Sequence, residues 1–294
     1  MTKQYFRLMS AGLSLLVVGT LPAKPVDAAP QLISLVFNAA PQSPQQIGAD
    51  EFRRKLVDLA DNRLAVDERG SATLGSEGAM LAAIRAGILD LATLSGSVVS
   101  SAVPEFGVFD VPFLFRDAAQ ARAVAEGPVG AELATHFGDK GLVLLAIGKQ
   151  GFRNITNSKR AIKMPADLKG LKIRVLPNEV YQATFKALGA EVVPMDFPLV
   201  YPALKDGRID GQENPIITIA GSHFEEVQKY LSLTGHFFAA IAFIANRETF
   251  EALSPDDQAM IRAAAKAGAD ATWLAGADED AKRLDQLRKG GMEI

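Results

Sequence analysis

Ala83-Ile84-Arg85-Ala86-Gly87-Ile88-Leu89-Asp90 and Ala203-Leu204-Lys205-Asp206-Gly207-Arg208-Ile209-Asp210 follow one pattern: a helix end, a glycine that stops it, and the start of a strand. Alanine-rich helix ends followed by glycine are common, so spacing alone leaves coincidence open. If the two octapeptides are structurally equivalent, the chain contains two similar lobes. The surroundings of the first octapeptide already alternate. Leu32 to Phe37 is a short apolar run rich in β-formers, followed by the polar turn Pro41-Gln42-Ser43-Pro44. Phe52, Leu56 and Leu59 repeat at helical spacing, as do Leu81, Ile84 and Ile88, and Leu89 to Leu94 reads as a strand. Helices at Ala118 to Glu126 and Val129 to Phe137, and strands at Leu142 to Ile147 and Leu171 to Val175, extend the alternation. This order predicts an α/β fold with mostly parallel sheets.

In such sheets ligands collect beyond the carboxyl ends of the strands, where backbone N–H groups and helix N-termini converge. The segments after the two matched strands are therefore candidate walls of a groove: Ser95-Gly96-Ser97 in one half, Gln212-Glu213-Asn214-Pro215 in the other. Near the C-terminus Ser254-Pro255-Asp256-Asp257 is a helix start, with Ser as N-cap, Pro in the first turn and acids at the positive end of the dipole. The alanine-rich stretch that follows has no strong breaker before Gly290-Gly291. Even allowing for Gly268 and Gly276, a helix of ~30 residues reaches about 45 Å, enough to run along two lobes.

The 294 residues are 48% hydrophobic and 22% charged, a globular make-up in which two domains are the default. A formal charge of -3 provides no basic excess to neutralise a run of phosphates, so nucleic acid is not an expected partner. Cysteine is absent, which removes disulfides, thiolate metal sites, cysteine nucleophiles and an acylated lipoprotein cysteine together. At the N-terminus Lys3 and Arg7 precede an apolar run from Leu8 to Leu21 and the small-residue site Val26-Asp27-Ala28. That is the layout of a secretory signal peptide over residues 1–28, cleaved after Ala28. A membrane anchor would need roughly 20 consecutive apolar residues, and this run is broken by Ser10, Ser14, Thr20 and Pro22. The mature protein is expected to be soluble outside the cytoplasm.

Catalytic constellations are hard to assemble. His136, His223 and His236 are scattered, and none sits in a metal-binding or nucleophile-elbow pattern. Gly141 to Lys149 looks superficially like a phosphate-binding loop, but the glycine spacing is wrong and no Ser or Thr follows the lysine. No metal, cofactor or enzymatic activity is expected. Arg174, by contrast, lies between Ile173 and Val175 in an apolar strand, and a buried arginine is costly unless an anion satisfies it. Its planar fork suits a carboxylate. A place on a solvent face, or an internal pairing with Glu or Asp, remains open from spacing alone. Arg153 reads as a loop arginine, for which a solvated charge is the alternative. Asn214 precedes Pro215 and is biased to extended backbone, with helix capping as an alternative role for its amide.

Gly151-Phe152-Arg153-Asn154-Ile155-Thr156-Asn157, Gly170-Leu171-Lys172-Ile173-Arg174-Val175 and Asp210-Gly211-Gln212-Glu213-Asn214-Pro215 resemble segments of the extracytoplasmic solute-binding proteins of tripartite ATP-independent periplasmic (TRAP) transporters, the DctP type. The resemblance continues through Leu188-Gly189-Ala190, Pro194-Met195, Tyr201-Pro202-Ala203-Leu204 and Glu226-Val227-Gln228-Lys229-Tyr230, and is densest from Gly151 to Gly235. It implies a two-lobed, Venus-flytrap periplasmic-binding-protein fold with crossing strands and a long C-terminal helix spanning both lobes. The lobes are expected at 29–150 with 237–275, and at 151–236 with 276–294. By the same resemblance Arg174 forms the salt bridge with a ligand carboxylate, Arg153 and Asn214 join it, and Asn38 and Glu77 reach it from the opposite lobe. Ser95 stands where some sialic-acid-binding relatives carry an acid. Trp273 and the rest of the long helix are present, but the chain stops at Ile294, earlier than the family pattern, so a last helical segment packed on one lobe is expected to be missing.

The implied function is capture of a small organic acid, a sugar acid such as a uronate or a dicarboxylate, by a monomer that delivers it to TRAP permease membrane subunits. Two rivals follow from the same scaffold: a periplasmic enzyme acting on sugar acids, and a sensory ligand-binding protein that docks on a receptor.

Overall fold

The computed structural model describes residues 29–70, 75–274 and 277–294. The expected signal peptide at 1–28 lies outside the described residues. The chain runs through β1 (Gln31–Val36), α1 (Pro44–Ala60), β2 (Leu64–Arg69), α2 (Glu77–Arg85), β3 (Leu91–Ser95), α3 (Gly96–Val99), α4 (Ala118–Glu126) and α5 (Pro128–Thr135) into the long strand β4 (Leu142–Asn157). It continues through β5 (Lys172–Val175), α6 (Glu179–Ala187), β6 (Glu191–Pro194), α7 (Val200–Lys205), β7 (Gly211–Pro215), α8 (Ile216–Gly221), β8 (Tyr230–Ser232) and β9 (Phe238–Asn246). Helices α9 (Arg247–Glu251), α10 (Pro255–Leu274) and α11 (Ala277–Lys289) close it.

The two octapeptides are structurally equivalent. Ile88 and Leu89 N–H approach Ala83 O at 3.0 and 3.4 Å, and Arg208 and Ile209 N–H approach Ala203 O at 2.9 and 3.4 Å. Gly87 and Gly207 take φ of +69° and +68°, a left-handed turn that a side chain would strain. The aspartate ending each octapeptide accepts a backbone N–H from the neighbouring parallel strand, Ser34 to Asp90 and Lys172 to Asp210, both at 2.9 Å. Each copy thus delivers a parallel strand, β3 or β7, into its own lobe.

One lobe carries the strand order β2-β1-β3-β9-β4, and the other β4-β7-β5-β6 with β8 also on β4. The pairings of β1 with β2 and β3, and of β5 with β6 and β7, are parallel. Those of β9 with β3 and β4, and of β4 with β7 and β8, are antiparallel, so the expectation of mostly parallel sheets is corrected. The reason is that β4 and β9 are crossing strands. Residues Leu142 to Phe152 of β4 pair with β9, and Arg153 to Asn157 pair with β7 in the other lobe.

All nine residues of β9 are buried. Phe238, Ala240, Ala242 and Ile244 pack on the α2, α4 and α5 side, while Ile241, Phe243 and Ala245 pack on the α1 and α10 side. A strand covered on both faces reads as one continuous apolar run. In α1 the core face is Ala49, Phe52, Leu56 and Ala60; Leu59 is 37% exposed, so it is not on that face. Ile88 is 76% exposed, because Gly87 ends α2 and turns it outward. The second lobe buries Ile173, Val175, Tyr181 and Phe185 on one side, and Val200, Ala203, Ile219 and Phe224 with Leu287 of α11 on the other.

The expected long C-terminal helix is present as α10, started by Ser254, whose Oγ accepts the Asp257 N–H at 3.1 Å. It packs on α1 and β4, and α11 packs on α8 of the other lobe. Trp273 stacks on Phe238 at 5.7 Å between ring centroids and donates its indole N–H to Ile147 O at 3.0 Å. Gly276 lies outside the described residues. Among the described residues no helix is long and apolar enough to cross a membrane.

Candidate functional site

Asn38, Glu77, Ser95, Arg153, Arg174 and Asn214 all line one cavity of about 300 Å³, together with Gln45, Gln150, Leu176, Phe197 and Thr218. Asn38 follows β1, Glu77 opens α2 behind the Ser76 N-cap, and Ser95 ends β3. The two arginines and Asn214 come from β4, β5 and β7. Of the expected groove walls, Ser95 and Gln212 to Pro215 are strand residues rather than loop, and Gly96 and Ser97 open α3.

Arg153 is not a loop residue. It lies in β4, is fully buried, and aims Nε and Nη2 at the Glu213 carboxylate at 2.5 and 2.9 Å. Nη2 also meets Asn214 Oδ1 at 3.0 Å. Burial opposes a charged guanidinium, but Glu213 outweighs it and holds Arg153 above the ordinary arginine range. Burial likewise opposes a charged Glu213, and Arg153 keeps it below the usual carboxylate range. His236 Nε2 stands 3.3 Å from the same carboxylate, while its Nδ1 meets Thr234 Oγ1 at 2.7 Å. Burial lowers its pKa, so the imidazole is neutral at pH 7. Asn214 does not cap α8, whose N-cap is Pro215. Its Nδ2 donates to Gln212 Oε1, so the amide orders the β7 side chains.

Arg174 differs. Its Nε and Nη2 donate to Met195 O at 2.8 and 2.6 Å, and no carboxylate among the described residues forms an ion pair with it. Burial lowers its pKa to about 10, so it remains cationic at neutral pH. Nη1 is buried without a hydrogen-bond partner, and so is Nη1 of Arg153. Gln45 Oε1, Gln150 Oε1 and Thr218 Oγ1 share that condition and line the same cavity. Buried polar atoms are normally partnered. Their concentration around one cavity marks it as a polar ligand site.

On the facing wall Glu77 Oε1 accepts the Ser95 N–H at 2.8 Å, and burial raises the carboxyl above its usual range. Asn38 Nδ2 donates to Gly75 O at 2.7 Å. The lobes also meet through Asn178, the N-cap of α6, whose Nδ2 lies 2.9 Å from Ser97 O, 3.0 Å from Ser100 Oγ and 3.1 Å from Asp110 Oδ2. Sequence reasoning singled out none of Gln45, Gln150, Thr218, Asp110 or Asn178 and gave Glu213 no partner. The Gln-Glu-Asn run, three polar residues inside a strand, was the available signal for Glu213.

Residues 35–294 match the model of the DctP family, described as bacterial extracellular solute-binding protein, family 7. A solute-binding protein of Verminephrobacter eiseniae is 40% identical over 267 residues, 91% of this chain and 80% of the relative. The sugar acid binding protein of Advenella mimigardefordensis, solved in complex with galactonate, superposes with a TM-score of 0.87 at 34% identity, covering 91% of this chain and 86% of the other. A TRAP periplasmic solute-binding protein of Sulfurospirillum deleyianum, solved with succinate, gives 0.85 at 30% identity, covering 91% and 88%. These relatives bind solutes and are not enzymes. With its crossing strands, its two lobes and a polar cavity between them, the chain belongs to the DctP family of bacterial extracellular solute-binding proteins.

Proposed function

We propose that this protein is the periplasmic receptor of a TRAP transporter, binding a small organic acid by its carboxylate at Arg174. The observation that carries the reading is the buried Arg174 guanidinium, cationic, outside any ion pair among the described residues, with Nη1 unpartnered at the cavity wall. Met195 O holds the other edge of the fork, so the anchor is oriented before the ligand arrives. Arg153 adds its unpartnered Nη1, and Asn214 holds that guanidinium in place. Asn38, Glu77 and Ser95 close on the ligand from the other lobe. Because these groups sit on different lobes, ligand contacts favour the closed arrangement over the open one. The lobes are taken as 29–150 with 237–275, and 151–236 with 276–294, a division supported by the separate cores around β9 and around β5. Export by the 1–28 signal peptide, a monomeric state, and recognition of the closed form by the permease membrane subunits complete the proposal.

A thermal-shift screen of organic acids tests it, since a ligand at 100 times its Kd should stabilise the protein by about 2.7 kcal/mol. For the best ligand, Arg174→Ala should weaken binding by about 10- to 100-fold, as expected for loss of a charged hydrogen bond of roughly 1.5–3 kcal/mol. Arg174→Lys should restore little, lacking the fork. Binding to Arg174→Ala as tight as to the unmodified protein would refute the anchor.

A further inference from the structure

We infer that the cavity selects a hydroxylated monocarboxylate over a dicarboxylate, with Gln45 and Gln150 accepting hydrogen bonds from ligand hydroxyls; the inference rests on Arg174 holding the carboxylate. The unpartnered atoms around the cavity fall into two chemical groups. Arg153 Nη1 and Arg174 Nη1 are cationic donors, and both come from strands that flank β7 on the same sheet. Gln45 Oε1 and Gln150 Oε1 are acceptors, and Thr218 Oγ1 serves either way.

The orientation of Gln45 follows from its neighbours. Its Nε2 donates to Ser95 Oγ at 3.3 Å, on the side where Ser95 bonds Glu77, which leaves the amide oxygen for the cavity. The wall facing the arginines therefore offers the Glu77 carboxyl and an amide oxygen rather than another cation. A carboxylate has lone pairs and no proton to give, so a second one would leave these acceptors unmatched, whereas a hydroxyl donates to each.

Charge points the same way. Glu213 already neutralises Arg153, leaving Arg174 as the cation that a single carboxylate balances. A dianion would bring one negative charge more than Arg174 balances into a buried space, where the excess is poorly screened. The ligand class is accordingly a sugar acid with one anionic end and several hydroxyls.

The test is calorimetric titration of the mature protein with a panel of aldonates and uronates and a panel of four- and five-carbon dicarboxylates. The best sugar acid is expected to bind at least about 100-fold more tightly than the best dicarboxylate. Gln45→Leu and Gln150→Leu, each checked for folding by circular dichroism, should each weaken the sugar acid by about 10-fold. Glu77→Gln should narrow the gap by improving the dicarboxylate. A dicarboxylate that binds as well as the best sugar acid, or glutamine variants with unchanged affinity, would overturn the selectivity and leave the Arg174 anchor standing. An Arg174→Ala protein that keeps full affinity removes the anchor itself, and binding of neither class overturns both.

Discussion

Arg153 and Arg174 are both fully buried, on strands either side of β7, yet they carry different duties. Arg153 is bound into Glu213 and Asn214 and forms the rigid floor of the cavity, while Arg174 is held by a neutral carbonyl and keeps its charge for the ligand. Removing one partner of a buried ion pair leaves an uncompensated charge, typically costing about 3–5 kcal/mol. Glu213→Gln should therefore lower unfolding stability by a few kcal/mol in chemical denaturation, and Arg153→Met,Glu213→Leu together should recover part of the loss. A double variant no better than the single would show that the pair acts by some other route than charge balance.

Among the elements, α10 and α1 cross unusually closely. A Cβ on Gly268 would lie 2.5 Å from Gly48 O and 2.9 Å from the Phe243 ring, so the glycine that looked like a weak point of the helix is the contact that lets the two helices meet. In an exposed helix Gly→Ala would add up to about 1 kcal/mol of stability. Here the methyl must displace backbone, and Gly268→Ala should instead destabilise by about 1–3 kcal/mol, as overpacking does. A melting temperature equal to or above that of the unmodified protein would contradict the crossing. The same elements explain what was visible beforehand. α4 coincides with the expected Ala118–Glu126, and the matched octapeptides end in matched strands, because helix stops and apolar runs are local features. The far half of β4 was not visible as strand, because Gln150, Arg153 and Asn154 turn toward buried polar surroundings and interrupt the apolar pattern that marks a strand.

At the scale of the whole molecule, the lobes are tied where Asn178 reaches Asp110 and Ser100. Burial raises the Asp110 pKa to about 6, with Ser100 and Asn178 opposing the shift. A raised carboxyl contributes stability that is fully present below its ordinary value near 3.8 and is lost as pH rises through about 6. The shift corresponds to on the order of 3 kcal/mol at most. Relative to the unmodified protein, Asp110→Asn should gain stability between pH 4 and pH 7, measured as the difference in Tm across that range. A difference that does not change with pH would mean that Asp110 does not titrate there.

Much of this protein was determined by local chemistry: the alternating elements, the two equivalent lobes, the long C-terminal helix and the family to which the chain belongs. The six candidate residues, scattered from Asn38 to Asn214, came from the family resemblance, with Arg174 also argued from its place in an apolar strand, and all six line one cavity. What the tertiary structure alone decided was the state of each charge. Whether a buried arginine is free or spent depends on which carboxylate the strand register sets beside it. β4 pairs antiparallel with β7 and brings Glu213 to Arg153, whereas β6, parallel to β5, sets the carbonyl of Met195, just past its end, beside Arg174. Register joins residues sixty positions apart, so the partner of each arginine is settled only when the strands pair.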